Sequence, residues 1–421
     1  MLRMVSTWLF LLFWCCDLNA AAEKLSHQAY IWQRNWSPQL ISAIHASATV
    51  MDGFTVLVAE ITPSAGGAKV VRVPVQYDVL QSTGLPITLA IRVGNYSGPF
   101  DSNQQTTQCL LAEVKAAIAS ARADGIKPTA IEIDFDCATS KLEGYVEWLS
   151  QMHNILGDVS LSITTLPTWM NRPKAFRELV HATDHFVLQV HSIKKPESIG
   201  DDVALCEPEQ TLDWASEAAK YGIPFRVALP TYAYRLGYNQ HGQLAEVSGE
   251  NASPLQNPDW QYRIIRAEPE TIANLVKAFK ERQPQHFEGI IWYRLPIAHE
   301  RLNWDPITWR TVIAGQTDAS HWKAQAVFKK DGAIEIQIEQ TGLLAAPPPK
   351  QVILNWENAN SLVWDGQRNF DVKATLDHGL IWQWPDKMEA PLLPQGTQWT
   401  IGWLRLDNIP KLQISVIPNA N

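Results

Sequence analysis

Beyond its first two dozen residues the chain has no apolar run near the roughly 18 residues that a membrane-crossing helix needs, so no later stretch reads as a transmembrane segment. Basic surplus is lacking as well: a formal net charge of −8 leaves no broad cationic face for nucleic acid. No cysteine or histidine spacing has the zinc or iron–sulfur pattern, and no metal or other cofactor is implied. Cysteine itself is sparse. Of five, Cys15 and Cys16 sit in the apolar start, which leaves Cys109, Cys137 and Cys206. An odd count in an oxidising compartment allows one bridge and one spare thiol; Cys137 and Cys206, each following a predicted strand, are the candidate pair.

The start of the chain reads as a secretory signal peptide over residues 1–22. Arg3 supplies the positive end, Val5 to Trp14 is too short to span a bilayer, and Ala20, Ala21 and Ala22 form a small-residue cleavage site. Cleavage is expected after Ala22, with a periplasmic or secreted product. Cys15 and Cys16 raise a lipoprotein alternative, against which Phe13 and Trp14 stand where a lipobox has small residues.

What is present is length, apolar residues and tryptophan. A chain of 421 residues, 46 % apolar, suits a barrel of about 250–300 residues plus a module of about 100. The 18 tryptophans offer flat apolar faces with one polar handle, which suits stacking on sugar rings, although core packing accounts for most of them equally well.

Short apolar strands alternate with amphipathic helices between residues 28 and 316. The pattern predicts strands at Ala29–Gln33, Phe54–Glu60, Ile87–Arg92, Ala130–Phe135, Ser160–Thr165, Phe186–His191, Phe225–Leu229 and Gly289–Tyr293. Helices are predicted at Thr107–Ala123, Lys141–Leu156, Pro173–His181, Pro208–Tyr221, Pro269–Arg282 and Pro306–Ile313, four of them starting at a proline, which a first turn tolerates. Between the second and third strands no helical pattern shows. Eight alternating strands give a (β/α)₈ barrel over residues 23–316. From 317 to 421 seven short strands divided by turn residues predict a β-sandwich module. Its seven tryptophans allow a carbohydrate-binding role or simply a Trp-rich core.

The chemistry concentrates at Glu132-Ile133-Asp134-Phe135-Asp136. Side chains at every second position of a strand share one face, so three carboxylates should point the same way in a strand otherwise built to be buried. Such charges are costly unless paired, wetted or partly protonated. An acid-rich strand end held by Arg92 and Arg294 is one reading; a catalytic acid line is the other. The remaining predicted strand ends add Trp32, Arg34, Glu60, Arg92, Trp169, Gln189, His191, Tyr232, Tyr234, Trp292 and Arg294 to the same end of the barrel, where such enzymes carry their active sites. Acids, guanidinium groups and flat rings together suit a carbohydrate polymer or oligosaccharide. Neither strand seven nor strand eight leads into a glycine-rich phosphate loop, which sets aside a phosphate-binding metabolic barrel.

Three stretches then resemble the family-18 glycoside hydrolases, the chitinase-like barrels. The acid line is similar to their Asp-x-Asp-x-Glu end of strand four. Ile223 to Tyr232 is similar to their strand seven and its Pro-x-Tyr turn, with Ala228 in place of a glycine, and Gly289 to Trp292 is similar to their strand eight. Arg235–Gln261 falls where that family inserts extra structure. The whole chain is similar to an exported bacterial family defined only as a domain of unknown function. The resemblance implies Asp136 as general acid, Asp134 as the group orienting an acetamido substituent, Glu132 as the buried partner beneath, and Trp292 as a subsite floor. It further implies hydrolysis assisted by the substrate's own N-acetyl oxygen. Two departures stand out. Asp136 is one methylene shorter than the family's glutamate, and Gln189-Val190-His191 replaces a strand-six tyrosine and aspartate. A conventional two-acid hydrolysis, with Asp136 as acid and Glu60 or another strand-end carboxylate as its partner, stays open, as does a non-catalytic glycan-binding or envelope-assembly protein.

Overall fold

The computed structural model describes residues 24–64, 67–191, 196–201, 203–249, 257–298, 300–317, 321–375, 378–385 and 390–419. The expected signal peptide at 1–22 lies outside them.

Eight parallel strands form a closed ring: His27–Ile31, Gly53–Ser64, Ile87–Val93, Ala130–Phe135, Ser160–Thr165, His185–Gln189, Phe225–Pro230 and Phe287–Tyr293. Each pairs with its sequence neighbours, and strand one closes the ring by pairing with both strand two and strand eight. The outward residues are almost uniformly apolar and buried under the helices, which is what a parallel strand covered on both sides requires. Four helices, Pro173–His181, Pro208–Ala219, Pro269–Glu281 and Pro306–Ile313, carry their proline in the first turn, where its missing N–H is not needed. In the last of these Asp305 caps the turn, accepting from the N–H groups of Ile307 (2.9 Å) and Thr308 (3.1 Å).

The interval between strands two and three departs from expectation. Strand two runs past the ring to Ser64 and folds back as an antiparallel strand, Gly67–Arg72, followed by the helix Tyr77–Thr83. Two turns of helix are too few to leave a readable 3.6-residue period. A helix at Pro38–Ser47 likewise joins strands one and two, capped by Ser37 accepting from the Leu40 N–H at 3.3 Å.

After strand seven, Ala233–Tyr238, Leu244–Ser248 and Gln261–Arg266 build a three-stranded antiparallel sheet with the first strand central. The C-terminal strands form two four-stranded antiparallel sheets that face each other. Ile334, Ile336, Ile338, Ile401 and Leu404 from one meet Val352, Leu354, Leu380 and Trp382 from the other in one apolar core. Trp356, Trp382 and Trp384 are buried in or beside that core; the module's other four tryptophans are half-buried, and three of them, Trp322, Trp364 and Trp399, pack against it. The backbone N–H of Ala345 donates to Thr308 Oγ1 (2.9 Å) and an Arg266 guanidinium donates to the Ala390 carbonyl (3.0 Å), tying module to barrel. Cys109, Cys137 and Cys206 are all unbridged, so the bridge allowed for Cys137 and Cys206 is not formed. Among the described residues no helix is long and apolar enough to cross a membrane.

Candidate active site

Strand four sets the site by its alternation. Ile131, Ile133 and Phe135 turn outward into the helical layer, with the Phe135 ring edge-on to Tyr145 at 5.1 Å and tilted against Trp148 at 5.3 Å. Glu132, Asp134 and Asp136 therefore rise in order along the inner face.

Glu132 is lowest and only 2 % exposed. The Tyr30 hydroxyl donates to its Oε1 (2.7 Å) and Ser162, its register neighbour on strand five, donates to Oε2 (3.2 Å). Burial raises its pKa to about 7 even though both hydrogen bonds favour the carboxylate. Asp134, 9 % exposed, forms the floor of the cavity above. Thr164 donates to its Oδ1 at 2.9 Å and the Gln189 amide at 3.2 Å, while Arg92 Nε lies 3.8 Å from Oδ2. Burial pushes its pKa up; the Arg92 charge opposes that and the charge on Asp136 adds to it. Asp136, just past the strand, is exposed and lines the cavity mouth.

That cavity measures about 620 Å³, within the range of small-molecule sites. Its wall opposite the acids is aromatic. Trp32 meets Tyr30 edge-on at 5.4 Å and Tyr293 at 5.6 Å; His191 stacks on Tyr293 at 5.3 Å; Tyr232 stands edge-on to both Tyr293 (5.6 Å) and Tyr234 (5.1 Å). His191 Nδ1 is 3.1 Å from the Tyr232 hydroxyl. Burial drives the His191 pKa down to about 4, so the ring is neutral near pH 7.

Of the residues expected here, the fold brings Asp134, Asp136, Trp32, Arg92, Gln189, His191, Tyr232 and Tyr234 to one cavity, with Glu132 directly beneath. Three expectations are corrected. Trp169 has no exposure and donates its Nε1 proton to the Cys137 carbonyl at 3.1 Å. Trp292 is equally buried, stacked on His27 at 5.9 Å and edge-on to Trp309 at 6.4 Å on the outer side of the ring. Arg294 is ion-paired to Glu300 at 2.5 Å and is not among the residues that line the cavity. Glu60, considered as a second acid, is held by Arg34 at 2.6 Å and does not line the cavity. Tyr30 and Thr164 were not anticipated, and Tyr293 occupies the place expected of Trp292. Tyr30 shares its strand face with Trp32, which is the signal that could have found it. Among the described residues no group of three His, Cys, Asp or Glu side chains is placed to hold a metal ion.

The buried position of Glu132 has a measurable consequence. Its pKa is about 7 in the fold against a usual 4.5, so between those values the folded state holds more protons than the unfolded one. Stability contributed by the neutral form is complete below about pH 4.5 and is lost as pH rises to about 7, by up to about 3 kcal/mol. An amide cannot ionise, so Glu132→Gln should gain stability relative to wild type as pH rises through that window. His27 and His191, both depressed to about 4, act in the opposite direction over about pH 4–6.5 but equally in both proteins. Denaturant melts across this range give the difference; a pH-independent one means Glu132 does not titrate there.

A family model described as a domain of unknown function (DUF3142) matches residues 83–298. No curated protein matches the chain in sequence. Among solved structures, a chitinase of Chromobacterium violaceum ATCC 12472 is similar with a TM-score of 0.48 and 13 % identity, covering 69 % of this chain and 98 % of that one. The spore cortex-lytic enzyme SleL of Bacillus cereus is similar at 0.47 and 14 %, covering 70 % and 74 %. The GH18 chitinase ChiB of Flavobacterium johnsoniae is similar at 0.42 and 13 %, covering 65 % and 88 %. Likeness of this degree transfers neither reaction nor substrate.

Proposed function

The chain belongs to the family described as a domain of unknown function (DUF3142), and from the chemistry of its cleft we propose an exported glycoside hydrolase acting on a bacterial polysaccharide with N-acetylated sugars. One observation carries this reading: a graded line of carboxylates, buried to exposed, faces an aromatic wall across a cavity large enough for a sugar ring. Flat rings suit the apolar faces of a pyranose, and the Thr164, Gln189 and tyrosine groups suit its hydroxyls.

In this proposal Asp136 protonates the glycosidic oxygen as the bond to the anomeric carbon breaks. It needs a proton to give; the acids below it on the strand lie at steps of about 6.6 Å in backbone rise, and burial raises the pKa of both Glu132 and Asp134. The upward shifts at Glu132 and Asp134 are in keeping with a line that does not carry three charges at once. Asp134, fixed by Thr164 and Gln189, positions the acetamido group whose oxygen attacks the anomeric carbon, so no protein nucleophile is required. The test is release of reducing ends from N-acetylated bacterial glycans by the mature protein.

A second reading is favoured by one observation. Where a catalytic strand-six pair would stand, the chain places Gln189, donating to Asp134, and a neutral His191. A barrel that binds glycan without turning it over would tolerate this exchange. Saccharide binding by calorimetry with no product after prolonged incubation selects that reading.

A further inference from the structure

The sheet inserted after strand seven presents two unlike faces. Its strand Leu244–Ser248 pairs antiparallel with Ala233–Tyr238, Val247 opposite Leu236 and Leu244 opposite Tyr238, with a bulge between Leu244 and Glu246. In an unbroken strand, positions three apart point to opposite sides; the bulge puts Leu244 and Val247 on the same side. That side, with Leu236 and Tyr234, lines the cavity that holds Asp136, and Leu166 and Pro196 extend it. The polar side chains go the other way: Glu246 of this strand and Arg235 of its neighbour are ion-paired at 3.0 Å on the opposite face.

Core packing explains Leu236, which has no exposure, but not Val247, which lines the same cavity and is 56 % exposed. A saccharide alone makes little use of an aliphatic ledge that carries no hydrogen-bonding group. A ligand with a hydrocarbon substituent uses both sides of this cavity.

We propose that Leu244, Val247, Leu166 and Pro196 form a subsite for an aliphatic chain, an alkyl or acyl substituent of the sugar bound beside Asp136. The proposal rests on the reading of the cleft as a saccharide site and narrows its ligand to amphiphilic glycosides.

The test uses alkyl glycosides of N-acetylglucosamine from methyl to octyl, each below its micelle concentration, titrated into the mature protein. Affinity should rise about two- to fourfold per methylene until the ledge is covered. Leu244→Ser with Val247→Ser should flatten the series and leave methyl glycoside affinity unchanged; Val247→Ser alone serves if the pair lowers the melting temperature. A flat series in wild type, or an unchanged slope in both variants, overturns the subsite and leaves the saccharide reading standing. The same rise with alkanediols of equal chain length supports the ledge and removes the sugar. No binding by any member overturns both.

Discussion

Asp136→Asn should cut glycan turnover by about 10²–10⁴-fold, the range for loss of a positioned general acid. The substitution keeps shape and removes the transferable proton. Because Asp136 is exposed and lies beyond the end of strand four, the melting temperature should not fall. Reducing-end assays and calorimetric melts on the same preparations check both halves. Asp134→Asn should also lose activity, but through misplacement, since an amide in that position accepts less well from Thr164 and Gln189 and no longer attracts Arg92. Undiminished turnover in Asp136→Asn takes that residue out of the mechanism. If wild type binds glycan and neither protein makes product, the non-catalytic reading stands.

The neighbouring pair Trp292 and Tyr293 should respond in opposite ways to truncation. Trp292→Ala opens a cavity where an indole is fully enclosed by His27, Trp304 and Trp309, and should cost about 3–5 kcal/mol of stability. Saccharide affinity in the surviving folded fraction should be close to wild type. Tyr293→Ala should leave stability less affected but remove the ring at the centre of the aromatic wall, against which Trp32, His191 and Tyr232 all rest. A loss of about 2 kcal/mol in binding, some thirtyfold, is expected there. Denaturant unfolding and calorimetric titration of both variants separate the effects. The reverse assignment would put the indole, not the phenol, in the cavity.

That pair also shows where sequence reading stopped. On strand four, acids alternate with apolar residues, so the inward face is written into the chain, and strand and face follow from a period of two. On strand eight both faces are apolar, and Gly289 to Tyr293 reads the same in either phase. The phase is set by a slip in pairing with strand seven between Phe287 and Gly289, where the glycine adopts φ 138°, a region that favours a residue without a Cβ. Trp292, the residue whose type most suggested a sugar platform, consequently faces the helices. Trp169 misled for a similar reason: it follows a strand end, but a 3-10 turn at Pro167–Asn171 folds its ring under Cys137.

The chain by itself determined the (β/α)₈ alternation, the prolines that start four helices, the β-rich tail and the three-acid face, because each is a local period or a local steric rule. Only the tertiary structure decided which arginine meets Asp134, which aromatic of strand eight enters the cavity, and which aliphatic residues line its mouth. Those depend on register between strands far apart in sequence and on single-residue bulges. A shift of one residue there reverses every side chain that follows, without altering composition or pattern.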